Sequence, residues 1–183
     1  MIKALVPFAD GLEEIEAVTI VDILRRGGVS VVTASIGSSL SVKGAHSIVL
    51  NADVMLEDVV SESFDAIVLP GGGEGTENLK KCTSLIERIV RQRTEGRCLA
   101  AICAAPTVFS VAGVFVPGQH ATCYPTCQMQ LDCQWVNQPV VEHGGIITGK
   151  APGSASLFAL VVLKSLNGER TAAKIAREMD LEF

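Results

Sequence analysis

The sequence predicts an α/β fold: one domain over residues 1–183, built on an open, mostly parallel sheet with helices on both faces. Three observations carry this. Short continuous apolar runs alternate with segments of helical period. Brief, glycine-containing connections separate them. The composition is 48% apolar, 19% charged and only 4% aromatic, which suits a buried parallel sheet better than a sandwich or a coiled coil.

The elements follow in order. Ile2–Phe8 is an apolar run ended by Asp10-Gly11. Leu12–Arg26 then carries Ile15, Val18, Val21 and Leu24 at helical spacing and stops at Gly27-Gly28. Glu13, Glu14 and Glu16 in its first turn and Arg25-Arg26 in its last both complement a helix dipole. Val29–Ser35 is β-branched and reads as a strand. Leu40–Leu50 suggests a hairpin or an irregular excursion around Lys43-Gly44, and 52–60 a short helix. Asp65–Leu69 is a central strand that empties into the loop Gly71–Gly75. A helix spans Ser84–Thr94. The buried strand Cys98–Ile102 runs straight into a small-residue helix, 104–112, with Pro106 tolerable in its first turn. Beyond lie a strand near His120–Cys123, irregular chain through Trp135, a strand pair over 140–148, and helices at 154–166 and 169–179.

Charge and cysteine usage exclude several classes. A net charge of −5, with no basic run longer than Arg25-Arg26 or Lys80-Lys81, leaves no footprint for a phosphate backbone, so no nucleic-acid partner is expected. The uncharged stretch Cys98–Gly118 is long enough for a membrane span, but Pro106 and Pro117 interrupt it and no second span accompanies it, so no membrane partner is expected either. The opening apolar run is too short for a secretory leader, and the six cysteines are expected to stay reduced in the cytoplasm.

In open α/β sheets, ligands bind beyond the carboxyl ends of central strands, and two candidate loops end there, Gly71–Gly75 and Ala101–Pro106. Cys103 lies between a buried strand and a helix start, the position of a nucleophile elbow. A helix N-terminus there is expected to favour thiolate, against the plain alternative of a buried, inert cysteine. The glycine loop lacks the Lys-Ser/Thr of a Walker pattern and the third glycine of a dinucleotide fingerprint; its amides suit an oxyanion instead. Among Glu13, Glu14 and Glu16, most are expected to be solvated, while one at the sheet edge can hold a raised pKa beside the thiol. Cys123, Cys127 and Cys133 lack the paired spacing of a zinc site, so no metal is expected.

These pieces resemble the ThiJ/PfpI superfamily, and within it the DJ-one branch. The matching residues are Glu13-Glu14-Ile15-Glu16-Ala17-Val18 with Val21-Asp22, Ile67-Val68-Leu69-Pro70-Gly71-Gly72, Ala100 through Thr107, and Pro152-Gly153-Ser154, in family order over nearly the whole chain. The resemblance implies a flavodoxin-like homodimer without a cofactor. It assigns Cys103 as nucleophile and oxidation site, Glu16 as the protonated carboxyl bonded to it, and the amides of Gly72 and Ala104 as the oxyanion position, with Gly71 supporting the loop. It implies protection against oxidative and carbonyl stress: conversion of methylglyoxal-type aldehydes or repair of glycated groups. The alternative is a redox sensor or chaperone acting through oxidation of Cys103 by peroxide, with Cys123 and Cys127 as resolving thiols. Ala104 stands where the protease-like branch places histidine, which disfavours a peptidase. Two departures mark the site: Tyr124 occupies the position of a family histidine, and His46 that of an arginine. Pro152 is a further expected neighbour. A phenol with a reference pKa of about 10 is a poor base near neutrality, so Cys103 and Glu16 are left to move protons alone.

Overall fold

Side-chain alternation along the central strands explains how the chain layers itself. The computed structural model describes residues 1–183. In chain order the elements are β1 (Lys3–Phe8), α1 (Glu14–Arg26), β2 (Ser30–Ser35), β3 (Ser41–Lys43), β4 (Val49–Asn51), β5 (Val54–Met55), α2 (Leu56–Val59), β6 (Ala66–Leu69), α3 (Gly73–Lys81), α4 (Thr83–Thr94), β7 (Cys98–Ile102), α5 (Pro106–Val111), β8 (His120–Ala121), β9 (Gln134–Trp135), β10 (Val140–His143), β11 (Ile146–Gly149), α6 (Ala155–Asn167) and α7 (Glu169–Glu178), with 3-10 turns at Pro125–Gln130 and Pro152–Ser154. Seven strands form one sheet in the order β10-β11-β7-β6-β1-β2-β5. All its pairings are parallel except β10 with β11. Alternate residues face opposite sides. Ala4, Val6, Val68, Ala100 and Ile102 pack under α1, α6 and α7. Leu5, Ile67, Leu69, Leu99 and Ala101 pack under α2, α4 and α5. This is the expected two-faced cover of a parallel sheet.

Strand order reverses between β1 and β6: the chain winds from β1 outward to β2 and β5, then returns to β6 and continues to β7. The loops after β1, β6 and β7 therefore open beside one another, at the crevice where such sheets bind ligands.

Several expectations need correction. The Leu40–Leu50 segment is a true hairpin, β3 with β4, but it forms its own ribbon outside the main sheet. The helix expected over 52–60 shrinks to the four residues of α2, after the short strand β5. The loop expected over Gly71–Gly75 is already helix α3 from Gly73 onward, although Gly73 and Gly75 are poor helix formers. Along α1 the buried side is Ala17, Ile20, Ile23 and Leu24. Ile15 and Val18, read as core from their spacing, are 58% and 51% exposed. The uncharged stretch from Cys98 is β7 followed by α5, and no helix is long and apolar enough to cross a membrane.

Candidate active site

Cys103 follows β7 and is not helical. Its φ is +63°, the left-handed region that a side chain other than glycine rarely occupies. Two bonds hold it there: its N–H donates to Gly149 O at 2.9 Å, and its carbonyl accepts from Tyr124 N–H at 2.7 Å. The helix expected from position 104 begins only at Pro106 and lasts six residues. A helix dipole therefore does not set the state of this sulfur, contrary to the expected depression of its pKa. Burial pushes the Cys103 thiol up, and the adjacent Glu16 carboxyl pushes it further, while bonds from the Gly72 and Ala104 amides pull the other way.

Glu16 reaches the thiol from α1. It is fully buried, on the stripe that also carries Ile20 and Ile23. Gly71 N–H donates to its Oε2 at 2.7 Å, while Oε1 has no nitrogen or oxygen partner and the carboxyl meets the Cys103 thiol. Burial raises its pKa to about 7, against the pull of the Gly71 amide and of Cys103. Two acids in contact titrate as a unit, and burial makes the doubly ionised pair the costly state. Between the two ionisations, one proton is shared across the sulfur and the carboxyl.

The glycine loop makes this approach possible. A Cβ on Gly71 would stand 2.7 Å from the Cys103 Cβ and 2.8 Å from Ile102 O. Gly72 has φ +95°, and a side chain there would run into the backbone of Gly11 and Glu13. Glu13 N–H donates to Gly71 O at 3.0 Å and Gly75 N–H to Gly11 O at 3.1 Å, so the loops after β1 and β6 lock together. The site brings together a thiol, a buried carboxyl of raised pKa and two backbone amides that bond the sulfur, the components of acyl or aldehyde chemistry at a carbonyl carbon.

Of the expected neighbours, Tyr124 is present through its main chain, and its side chain is 42% exposed. His46 is held elsewhere. Its backbone N–H donates to Glu14 Oε1 at 2.7 Å and its ring Nδ1 lies 2.9 Å from Glu14 Oε2. That bond raises the pKa of His46; for Glu14, burial opposes the His46 and backbone bonds, which win and lower it. Pro152 opens a 3-10 turn whose hydrogen bonds close on Ala151 and Ser154, three residues past the Gly149 carbonyl that holds Cys103. Glu16 is the one first-turn acid expected to be buried beside the thiol, but Glu14, expected to be solvated, is buried as well. Glu13, Glu14 and His46 bring their donor atoms within 4.8 Å of one another, but the Glu14 oxygens already accept from His46 and Ile48.

Comparison with known proteins places this geometry. Residues 2–165 match the model of the DJ-1/PfpI family. The chain is 38% identical over 176 residues to protein DJ-1 homolog B of Arabidopsis thaliana, covering 95% of this chain and 40% of that one, so it spans about two fifths of the plant relative. It is 33% identical over 172 residues to glutathione-independent glyoxalase DJR-1.2 of Caenorhabditis elegans, covering 92% of this chain and 90% of the relative. The structure of oxidized Toxoplasma gondii DJ-1 superposes with a TM-score of 0.96 at 34% identity, over 100% of both chains. With sequence and fold agreeing from the first strand into the penultimate helix, the chain belongs to the DJ-1/PfpI family.

Proposed function

We propose that the protein protects against carbonyl stress as a cysteine enzyme without a cofactor, converting methylglyoxal-type α-oxoaldehydes to 2-hydroxy acids or, by the same attack, releasing glycated groups. The observation that carries this reading is the buried contact of Glu16 with Cys103, at a sulfur that also receives the Gly72 and Ala104 amides. The glyoxalase name of the Caenorhabditis elegans relative supports it.

In this reading Glu16 takes the thiol proton as sulfur attacks the aldehyde carbon. The oxygen left on that carbon faces the Gly72 and Ala104 amides, which offset its developing charge. Glu16 passes the thiol proton to that oxygen, which completes the hemithioacetal; as a carboxylate it then takes the proton from the former aldehyde carbon and returns it to the neighbouring keto carbon, while the hydroxyl proton passes to the keto oxygen, giving a thioester. Water cleaves the thioester, yielding the hydroxy acid and restoring the thiol. Net, one water is added and nothing is oxidised overall. The test is lactate formation from methylglyoxal without glutathione or added metal. Turnover is expected in the wild type and lost in Cys103→Ser; turnover that survives in the mutant overturns the reading.

The oxidized state of the Toxoplasma gondii relative favours a second reading, in which Cys103 is an oxidation sensor and Glu16 donates a hydrogen bond to its sulfinate. Absence of turnover in both proteins, with peroxide oxidation of Cys103, selects it.

Either reading is proposed to operate in a homodimer. Ile15, Val18, Ile48 and Val49 are each more than half exposed, on α1 and beside it. Val18, Val21 and Leu50 line one cavity of about 270 Å³, so the helix and the β3–β4 ribbon share a face. Several exposed apolar side chains on neighbouring elements are a feature of surfaces that partners cover. Light scattering is expected to give twice the chain mass, and Val18→Glu to halve it.

A further inference from the structure

Cys123 is fully buried, yet it belongs to neither of the two large apolar clusters. Its thiol donates to Tyr124 O at 3.3 Å. The same carbonyl accepts Cys127 N–H at 2.8 Å, where the chain enters the 3-10 turn. The Cys123 thiol and the Cys127 backbone N–H thus meet at one carbonyl oxygen. Their surroundings differ: Cys127 is half-buried, whereas Cys123 is fully buried. Burial pushes the Cys123 thiol up to about 12, and the charges of Cys127 and Cys133 add to that shift, so the three sulfurs sense one another. A buried protonated thiol beside a more exposed one is the arrangement of a resolving cysteine and an attacked one.

We infer that Cys123 and Cys127 form a reversible dithiol–disulfide pair, a modification site for hydroperoxides distinct from Cys103. The half-buried Cys127 sulfur attacks the peroxide, its S–O bond forming as the O–O bond breaks, and its proton leaves with the departing alcohol or water. Cys123 sulfur then attacks the sulfenic sulfur; the S–S bond forms, the S–O bond breaks, and water departs with the Cys123 proton. Two thiols and one hydroperoxide give one disulfide, one alcohol or water and one further water. Cys127 and Cys123 are oxidised, and the peroxide oxygen is reduced. A thiol reductant reverses the bridge. Tyr124, whose carbonyl both cysteines share, is also the residue whose N–H holds the Cys103 carbonyl at 2.7 Å. The pair therefore lies within one peptide of the candidate nucleophile, where it intercepts peroxide before Cys103 climbs to irreversible acids.

The test uses the full chain carrying Cys103→Ser, which separates this pair from anything Cys103 does, including its proposed turnover. After mild hydrogen peroxide treatment, peptide mapping without reduction is expected to find residues 123 and 127 linked. The chain should lose two alkylatable thiols and two hydrogens of mass, and dithiothreitol should restore both. Cys127 recovered as sulfinic acid with Cys123 still alkylatable overturns the inference, as does a bridge from either residue to Cys133 or to a second chain. In the otherwise wild-type protein, Cys127→Ser at limiting peroxide is expected to raise the fraction of Cys103 found as sulfinic or sulfonic acid at least twofold; an unchanged fraction overturns the protective role.

Discussion

Gly71 N–H lies 2.7 Å from Glu16 Oε2, and a Cβ placed on Gly71 would stand 2.7 Å from that same oxygen. The loop after β6 thus orients the buried carboxyl with its backbone, at a position where no side chain fits. Gly71→Ala must push against Ile102 O and the Cys103 Cβ, neither of which is a flexible chain end. Overpacking of this kind costs about 1–3 kcal/mol. The expected outcome is an unfolding free energy, measured in urea, lowered by that amount, together with slower alkylation of Cys103. A variant that alkylates at the wild-type rate shows that the carboxyl keeps its place without the loop.

Glu16 also makes stability depend on pH with a definite sign. Burial lifts its pKa from 4.5 to about 7, so over that window the folded chain holds a proton that the unfolded chain releases. Stability from this group is complete below pH 4.5 and falls as pH rises to about 7, by on the order of 3 kcal/mol. His46, raised by its bond to Glu14, loses stabilisation in the same direction as pH climbs, so the wild-type slope combines both. Glu16→Gln isolates one of them. Unfolding in urea at pH 5 and pH 8 is expected to show a smaller difference in the variant, and equal slopes in the two proteins would mean that Glu16 is already ionised at pH 5.

Much of this site can be read along the chain, and what cannot has physical causes. Glu16 precedes Ile20 by four residues and Ile23 by seven, the spacing of one helix face, so its burial is written in the same period that buries them. The elbow at Cys103 is legible because a buried run meets Pro106 within a few small residues. Its left-handed φ is not, since that conformation is imposed by Gly149 and Tyr124 from distant parts of the chain. The pairing of His46 with Glu14 is likewise invisible until the β3–β4 ribbon folds back over α1. Ile15 and Val18 mislead because spacing reports an apolar stripe without saying whether this chain or another covers it.

The Tyr124 phenol is not required by the site geometry. Its contribution is an N–H to the Cys103 carbonyl, which any residue but proline supplies, while the ring is 42% exposed. Tyr124→Phe is therefore expected to hold methylglyoxal turnover within about twofold and leave its pH profile in place, because the phenol is not among the groups that act on Glu16 or Cys103. Tyr124→Pro removes the donor and should slow turnover sharply. A large loss in the phenylalanine variant would assign the hydroxyl a direct part in the reaction.

Away from the site, Arg88 poses the largest electrostatic anomaly of the fold. It lies on the core side of α4 with Leu85, Ile89 and Gln92, is 3% exposed, and none of its three guanidinium nitrogens has a hydrogen-bond partner. Burial lowers its pKa; Glu95 offsets this in part, while the neighbouring Arg91 and Arg97 add to it. A cation so placed has surrendered its hydration without gaining a paired acceptor, and replacing such groups by apolar ones of similar length often stabilises by about 1–4 kcal/mol. Arg88→Met keeps an unbranched stem and removes the charge. Its expected outcome is a Tm raised by several degrees in calorimetry, with turnover unchanged because the core side of α4 packs in a different apolar cluster from Cys103. A lowered Tm would show that the guanidinium is satisfied in solution and that its burial supports the packing of α4 on β6 and β7.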